Sequence, residues 1–255
     1  GDLHGVGGDF FSTPNVVTTW PELDIRARAT RENKAYSFLL SKDQFSNGFQ
    51  FNYRADGAFQ FYYYPISGGA KIATSASSLV PFAIGELGWY RVTFDTATGD
   101  VKFFTADGNL EAPAVSDYVQ AGATLNPAGG ATSIQLTASK FLIGAYGPSP
   151  STWPYDGRFY RAQVYNEIDG TTPVVDFTAG SYVSGSTLVS STSGETWTLV
   201  GNASIFQPPV DASGPFGYLA EKASTNLSTA STTYIPDPTS SVASSLGASP
   251  DGSLN

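Results

Sequence analysis

Acid–base and nucleophilic chemistry has few candidate residues in this sequence. His4 is the only histidine, and it stands beside a glycine-rich terminus, outside the predicted sheet, where no nucleophile is expected next to it. The chain has no cysteine, which excludes thiolate nucleophiles, disulfides and cysteine-ligated metal sites. None of the glutamates is spaced as a facing pair on one strand, as a glycosidase would require. We therefore predict a protein without enzymatic activity and without catalytic residues.

Sugar-binding chemistry has one candidate loop, residues 146–155, with the sequence Tyr-Gly-Pro-Ser-Pro-Ser-Thr-Trp-Pro-Tyr. Aromatic faces stack on sugar rings, and neighbouring polar groups fix the orientation of the ligand. Tyr146, Trp153 and Tyr155 are therefore the candidate ligand-binding residues. The alternative is that Trp153 and Tyr155 only cover a sheet edge or pack between subunits.

Calcium is a candidate cofactor, although none is required by the sequence. Hard oxygen ligands at strand ends and turns are supplied by several aspartates, namely Asp43, Asp95, Asp100, Asp107, Asp156 and Asp169. Aspartate is also an ordinary turn residue, and the spacing of a helix–loop–helix or repeat-type calcium loop is absent. The metal ligands, if any, are therefore left unknown.

The charge balance excludes two classes of partner. With 13 basic and 22 acidic residues, the formal net charge is −9, which repels phosphate backbones and anionic membranes. No segment approaches the ~20 apolar residues needed to cross a bilayer. We predict neither nucleic-acid binding nor membrane insertion. Methionine is absent even at position 1, which favours a processed chain or a portion of a longer polypeptide.

The composition and the residue pattern both favour strands. Charged residues make up only 14% of the chain, which contains 27 Gly and 16 Pro. Residues 23–30 alternate between apolar and polar, which predicts a strand with one face in water. Residues 48–53 and 58–64 predict a hairpin whose turn uses Gly57 at positive φ. Tyr62 and Tyr64 lie out of phase with their neighbours, so one set of side chains must face away from the core.

Further strands and the core follow from the same alternation. A second hairpin is predicted from residues 90–94 and 101–105, and further strands from 140–145, 158–165, 174–177, 197–200 and 203–206. No amphipathic helix of ordinary length is found. Short strands without helical spacers predict an all-β, two-sheet antiparallel jelly-roll sandwich. The predicted core consists of Tyr90, Val92, Phe94, Phe103, Ile143, Phe159 and Tyr160.

The chain divides into three predicted parts: an N-terminal extension (1–8), the jelly-roll domain (9–206) and an extended tail or linker (207–255). The tail holds six Pro and fifteen Ser or Thr from residue 208 onwards. Its scattered apolar residues cannot offset the entropy of ordering it. We expect it to pack against the domain surface or another subunit.

Three ordered segments resemble laminin G-like domains of the concanavalin A-like lectin superfamily. They are Trp89–Phe94 (WYRVTF), Phe141–Ala145 (FLIGA) and Tyr155–Asn166 (YDGRFYRAQVYN). The resemblance implies the jelly-roll fold and a calcium site at the rim of the sandwich in many relatives. Glucanase relatives carry a Glu-x-Asp-x-x-Glu strand motif that this chain lacks. Arg158 stands where extracellular members often have a disulfide cysteine, which implies a disulfide-free branch.

A closer likeness is to the versions of this domain in minor tail and other virion proteins of tailed bacteriophages. It rests on residues 8–14, 79–82, 157–164, 168–170 and 218–227 (YLAEKASTNL). The likeness implies a structural or adhesive component of a phage tail, fibre or capsid surface, located in the virion. Its partners would be other virion subunits, in a homo-oligomer or larger assembly, and a host-surface glycan. The alternative is a carbohydrate-binding module of a bacterial extracellular protein.

Overall fold

The structure is a computed structural model that describes residues 2–4, 10–13, 21–43, 47–135, 140–147, 155–181, 187–190, 192–200 and 204–206. The contacts separate one unit, Gly1–Phe206, from a second, Gln207–Asn255. The second unit and Trp153 lie outside the described residues, so the expectations for the tail and for Trp153 stay predictions. The predicted domain boundaries also stay predictions.

The described part of the chain is all-β, as predicted. The strands are β1 (Asp2–His4), β2 (Phe10–Thr13), β3 (Glu22–Thr30), β4 (Ser37–Asp43), β5 (Gly48–Tyr53), β6 (Phe59–Tyr63), β7 (Lys71–Thr74), β8 (Leu87–Asp95), β9 (Val101–Asp107), β10 (Val119–Gln120), β11 (Phe141–Ile143), β12 (Arg158–Tyr165), β13 (Val175–Thr178), β14 (Thr187–Val189), β15 (Thr196–Val200) and β16 (Ser204–Phe206). The only helical segments among the described residues are short 3₁₀ turns at Val115–Asp117 and Ala179–Ser181. No helix in these ranges has the length and apolar character needed to span a membrane.

The strands form two antiparallel sheets. The first sheet has the order β10-β9-β8-β3-β12-β1-β16, with β13 also paired to β12. The second sheet has the order β14-β15-β2-β11-β4-β5-β6-β7. Half of the neighbouring pairs join strands that are distant in sequence, such as β3 with β8 and β12, which is the topology of a jelly-roll sandwich rather than a meander.

Both predicted hairpins are present, and their turns explain why they form. Gly57 has φ +77°, a backbone conformation that favours glycine, and its N–H donates to the carbonyl oxygen of Arg54 at 2.9 Å. Gly99, between β8 and β9, has φ +80° and donates to the carbonyl of Asp95 at 2.8 Å. A side chain at Gly99 would also meet the carbonyl oxygen of Gly130.

The predicted core is confirmed except at one position. Tyr90, Val92, Phe94, Phe103, Ile143 and Phe159 are all 0% exposed and pack between the two sheets. Tyr160 is only half-buried, and its prediction as core is wrong. Tyr160 lies at an irregularity in β12, where the register against β3 shifts between Phe159 and Arg161, and the guanidinium of Arg28 lies 5.4 Å from the centre of its ring.

Several strands were not predicted from the alternation. Strand β4 is buried along residues 37–42, on both faces, so it shows no polar–apolar alternation. Strand β1 pairs with β12 and β16, with His4 opposite Arg158 and Ser204. The expectation that His4 lies outside the sheet is therefore wrong. A three-residue strand is fixed by its partners in the sheet rather than by its own sequence.

Candidate ligand-binding groove

The outer face of the first sheet is covered, although the alternation in β3 predicted that it faces water. Asp24, Arg26 and Arg28 are 0%, 6% and 8% exposed, so the prediction of a wet face is wrong. The segment 108–118 and the turn 166–170 lie over this face. Alternation shows that the two faces of a strand differ in polarity, but it cannot distinguish solvent from a second layer of polar contacts.

Strand pairing sets the positions of the charged residues on this face. Arg26 lies directly opposite Arg91 of β8 on one side and opposite Gln163 of β12 on the other. Two arginines at directly opposite positions repel each other. A carboxylate next to both of them is therefore needed to stabilise the pair.

Asp24 supplies that carboxylate. Its oxygens accept hydrogen bonds from Nη2 of Arg26 at 2.8 Å and from Nε and Nη2 of Arg91 at 2.9 and 2.8 Å. Arg91 also pairs with Asp169, which has φ +61° at the tip of the covering turn. Burial alone would lower the pKa of Arg91, but hydrogen bonds and charge from Asp24 and Asp169 raise it on balance. Asp24 and Asp169 therefore stabilise the buried charge of Arg91, and Asp24 is shared with Arg26.

The covering segments are attached to the sheet through side chains. Nε1 of Trp89 donates to the carbonyl of Leu110 at 2.7 Å, and Nε of Arg28 donates to the carbonyl of Gly108 at 2.8 Å. On the other side, Nη2 of Arg26 donates to the carbonyl of Gly170 at 3.1 Å. These contacts satisfy backbone carbonyls and hold the two segments apart on the sheet.

A groove of about 500 Å³ lies between the two covering segments, above β3 and β12. Its floor contains Arg26, Arg161, Gln163 and Tyr165, and its walls include Tyr118 and two prolines. This volume is within the range of about 300–1,000 Å³ that is usual for small-molecule sites. A smaller pocket of about 220 Å³ lies on the other side of Val115, but it is lined by charges of both signs.

The polar groups of the groove have unused hydrogen-bonding capacity. Within the described part of the chain, Nη1 of Arg26 and both Nη atoms of Arg161 make no hydrogen bond, because their neighbours engage only the other nitrogens. Among the described residues the buried hydroxyl of Tyr118 has no hydrogen-bond partner, and the Gln163 amide and the Tyr165 hydroxyl make no hydrogen bond with the protein. Burial raises the pKa of both tyrosines, so their hydroxyls stay neutral donors at neutral pH. Buried polar groups without protein partners point to a ligand or ordered water.

Arg26 is fixed in orientation before any ligand arrives. Its guanidinium carbon lies 4.1 Å from the centre of the Tyr165 ring, in addition to its bonds with Asp24 and Gly170. Arg161 is bound more loosely, by one contact of 3.4 Å from Nε to Asp176. The groove therefore combines one rigid and one adjustable guanidinium.

The aromatic loop that sequence analysis favoured is only partly within the described residues. Tyr146 is half-buried, with its ring centre 5.2 Å from that of Phe38, so its role in ligand binding stays a prediction. Tyr155 is 2% exposed, and its hydroxyl donates to the carbonyl of Thr30. A ring that is enclosed in the core offers no face to a sugar, so we do not include Tyr155 in the groove.

Three of the aspartates considered for calcium, Asp95, Asp100 and Asp169, line one pocket that also contains Arg91 and Lys102. Asp95 accepts hydrogen bonds from the N–H groups of Ala97 and Thr98, as in an ordinary turn. Asp156 pairs with Lys34 at 3.1 Å, and Asp169 pairs with Arg91. In the described ranges, no three His, Cys, Asp or Glu residues come together as metal ligands do. Calcium binding therefore stays a prediction.

Sequence reasoning missed the groove because its residues are individually unremarkable. Arg26 was assigned to a solvent face, and Gln163 and Tyr165 appeared only within a fold motif. The available signal was the alternation of β12, whose outward residues Arg161, Gln163 and Tyr165 are all polar or amphipathic. The covering segments needed to enclose them come from other parts of the chain.

Comparison with known proteins places the fold but not the family. No protein-family model and no curated protein matches the sequence. A Bacteroides ovatus protein, described as a candidate carbohydrate-binding protein, is similar in structure with a TM-score of 0.57 and 11% identity, over 81% of this chain and 59% of that one. The CBM40 of a Ruminococcus gnavus IT-sialidase gives 0.48 and 14%, over 65% and 89%. Mouse laminin α1 domains LG4-5 give 0.42 and 14%, over 64% and 40%.

At these identities the likeness shows the fold alone. The described residues form a two-sheet antiparallel sandwich, as predicted, and the Bacteroides ovatus protein has a similar fold. One fold of this kind hosts many functions, so the function has to be argued from the groove.

Proposed function

We propose that this chain is a non-enzymatic adhesion module that binds carbohydrate in the groove between residues 108–118 and 166–173. The observation that carries the proposal is the set of partnerless polar side chains in one groove. Sugar hydroxyls both donate and accept hydrogen bonds, so they can engage Gln163, Tyr118 and Tyr165 together. Pro113 and Pro173 provide apolar wall for the C–H faces of a sugar ring.

The composition of the groove supports binding without catalysis. Among the described residues that line it, none is a carboxylate or a histidine. Asp24 and Asp176 lie behind the arginines, at 0% and 5% exposure, and are ion-paired there. A glycosidase needs two carboxyl groups on either side of the scissile bond, and this groove has no group for either role.

The proposal is tested by glycan binding to the full chain and to point variants. We expect a glycan-array hit, measured again by calorimetry, to weaken at least tenfold in Gln163→Ala, because the amide has no other partner. Gln60→Ala is the matched control, since Gln60 lies on the second sheet, where its amide contacts only Thr74. Equal affinity of both variants and the unchanged chain would refute binding in this groove.

The second candidate function is a structural role in a phage virion, as part of a tail, fibre or capsid surface. It is favoured by the segments that resemble phage virion proteins, including 157–164 and 218–227. In that setting the chain forms a homo-oligomer or contacts other virion subunits. The alternative setting is an extracellular bacterial protein with the same carbohydrate-binding module.

Limited proteolysis distinguishes the two settings. In the virion setting, the tail (207–255) is cleaved rapidly in the isolated chain and protected in the assembled particle, because only the assembly covers its apolar residues. Equal resistance in the isolated monomer would remove this support for assembly.

A further inference from the structure

Resting on the proposed function, we propose that the groove selects carbohydrates that carry a carboxylate, and that Arg26 and Arg161 bind that carboxylate together. The juxtaposition that carries the inference is two guanidinium groups with free N–H donors on one groove floor. They flank the amide of Gln163, and no acidic side chain lines the same groove.

The position of the two arginines follows from the strand register. Arg26 lies directly opposite Gln163, and Arg161 lies directly opposite Arg28. Arg161 and Gln163 point to the same face of β12, so Arg26 and Arg161 are diagonal neighbours across the strand pair. Such neighbours have backbones about 7–8 Å apart, which two long side chains can span with one carboxylate between them.

The acidic partners of the arginines do not block this role. Asp24 is shared between Arg26 and Arg91 and is fully buried beneath them. It occupies Nε and Nη2 of Arg26, and Nη1 has no hydrogen-bond partner among the described residues. Asp176 contacts only Nε of Arg161. Each arginine therefore presents N–H groups to the groove, and guanidinium N–H groups match the geometry of a carboxylate.

The remaining groups of the groove suit the rest of an acidic sugar. The hydroxyls of Tyr118 and Tyr165 and the amide of Gln163 can each engage a neutral sugar hydroxyl. A purely inorganic anion would leave these groups unpaired, which costs free energy in a buried site. The chemistry therefore fits a uronate or another carboxylate-bearing sugar better than a small free anion.

The net charge of the chain does not oppose a single local carboxylate. The formal charge of −9 acts at long range, where salt at about 0.1 M screens it beyond about 10 Å. Contacts with Arg26 and Arg161 act within the groove, where less water screens them. The overall charge instead disfavours long polyanions, which must approach other parts of the surface.

The test compares an acidic ligand with its neutral counterpart on the full-length protein. The probes are a glucuronate-containing tetrasaccharide and the same tetrasaccharide with its carboxylates reduced to alcohols. Calorimetry or ligand-observed NMR at pH 7 gives both affinities in the unchanged chain and in variants. We expect the acidic probe to bind at least tenfold more tightly, and the difference to shrink as salt is raised.

The variants separate the carboxylate contact from general sugar binding. Arg161→Gln should weaken binding of the acidic probe by a clearly larger factor than binding of the neutral probe, so that the preference for the acidic probe is lost. Tyr165→Phe should weaken both probes by a similar factor, because it removes only a hydroxyl. Arg54→Gln is the control, since Arg54 pairs with Asp56 in a turn of the second sheet. If Arg161→Gln fails to fold, Arg161→Lys replaces it in the comparison, because lysine keeps the charge that pairs with Asp176 but lacks the planar guanidinium.

The outcomes keep this inference distinct from the function on which it rests. If both probes bind equally and neither Arg161 variant changes either affinity, the acidic preference is refuted while carbohydrate binding stands. If neither probe binds and no array glycan responds to Gln163→Ala, the groove is not a carbohydrate site and both proposals fail. Loss of the acidic preference in an Arg161 variant, with Arg54→Gln unchanged, supports the inference.

Discussion

The stability of this protein should fall as the pH rises from about 4.5 to about 7, and Glu32→Gln should abolish most of that fall. Glu32 follows β3 and is 7% exposed, and neither oxygen of its carboxyl accepts a hydrogen bond within the described residues. Burial raises its pKa from 4.5 to about 7. The charge of Lys34 and the nearby backbone of Asp156 offset part of the effect of burial on this pKa, the charge of Asp156 adds to it, and Ser37 has the smallest effect.

The sign and the size of the effect follow from the two pKa values. Below pH 4.5 the carboxyl is protonated in both states, so folding carries no ionisation cost. Between 4.5 and about 7 the unfolded chain has lost the proton while the folded chain still holds it, so stability falls as the pH rises. At about 1.4 kcal/mol for each pKa unit, the total loss is about 3 kcal/mol. Above about 7 the loss is complete and constant.

Urea unfolding, followed by tryptophan fluorescence at pH 4.5 and pH 8, measures this difference. Trp89 and Trp197 are fully buried and report on both sheets. We expect Glu32→Gln to be more stable than the unchanged chain by about 3 kcal/mol at pH 8 and by much less at pH 4.5. Glu167→Gln is the control, since Glu167 is exposed.

The reasoning has a clear refutation. If Glu32→Gln differs from the unchanged chain by the same amount at both pH values, the carboxyl does not titrate between them. If Glu32→Gln is less stable at pH 8, the ionised carboxylate is stabilised by contacts that the buried site does not show.

Two further predictions concern packing and the buried charge network. Gly88→Ala should lower the free energy of unfolding in urea by about 1–3 kcal/mol, because its new methyl group would lie 2.0 Å from the ring of Phe82. Gly69→Ala is the control and should be nearly neutral, since a methyl group there meets nothing within 4 Å. Similar losses of stability in both variants would refute the clash. Asp24→Asn should lower the free energy of unfolding by about 3–5 kcal/mol, because two buried arginines lose their shared carboxylate. Glu111→Gln is the control and should lower it by less than about 1 kcal/mol, because the Glu111 carboxylate that pairs with Arg28 is exposed. A small effect of Asp24→Asn would show that water solvates the arginines.

The fold could be predicted because its information is local. Each of the two hairpins has alternating arms and a glycine at positive φ, and both features lie within a short stretch of sequence. Strand β12 was predicted with its observed bounds, Arg158–Tyr165, because its inward side chains are apolar. The short strands β1 and β14 could not be found this way, since three residues contain too little pattern.

The candidate site could not be predicted, because its contacts are distant in sequence. Asp24 contacts Arg91 across 67 residues and the N–H of Asp169 across 145. Tyr155 is a candidate for sugar binding by sequence, yet its hydroxyl donates a hydrogen bond to the carbonyl of Thr30, 125 residues away. The exposure of a loop aromatic depends on what packs over it, and local sequence does not contain that information.

The all-β class, the main turns and the apolar face of each main strand can be predicted from the sequence, because side-chain alternation and glycine conformation are properties of neighbouring residues. The enclosure of the polar face of β3 depends on segments that are distant in sequence and is seen only in the folded structure. Segments 108–118 and 166–170 cover Arg26 and Arg91 on the outer face of the first sheet, where Asp24 is the shared partner of the two arginines. Burial depends on which segments pack over a strand, so the alternation in β3 is compatible both with a solvent-exposed face and with the floor of a groove.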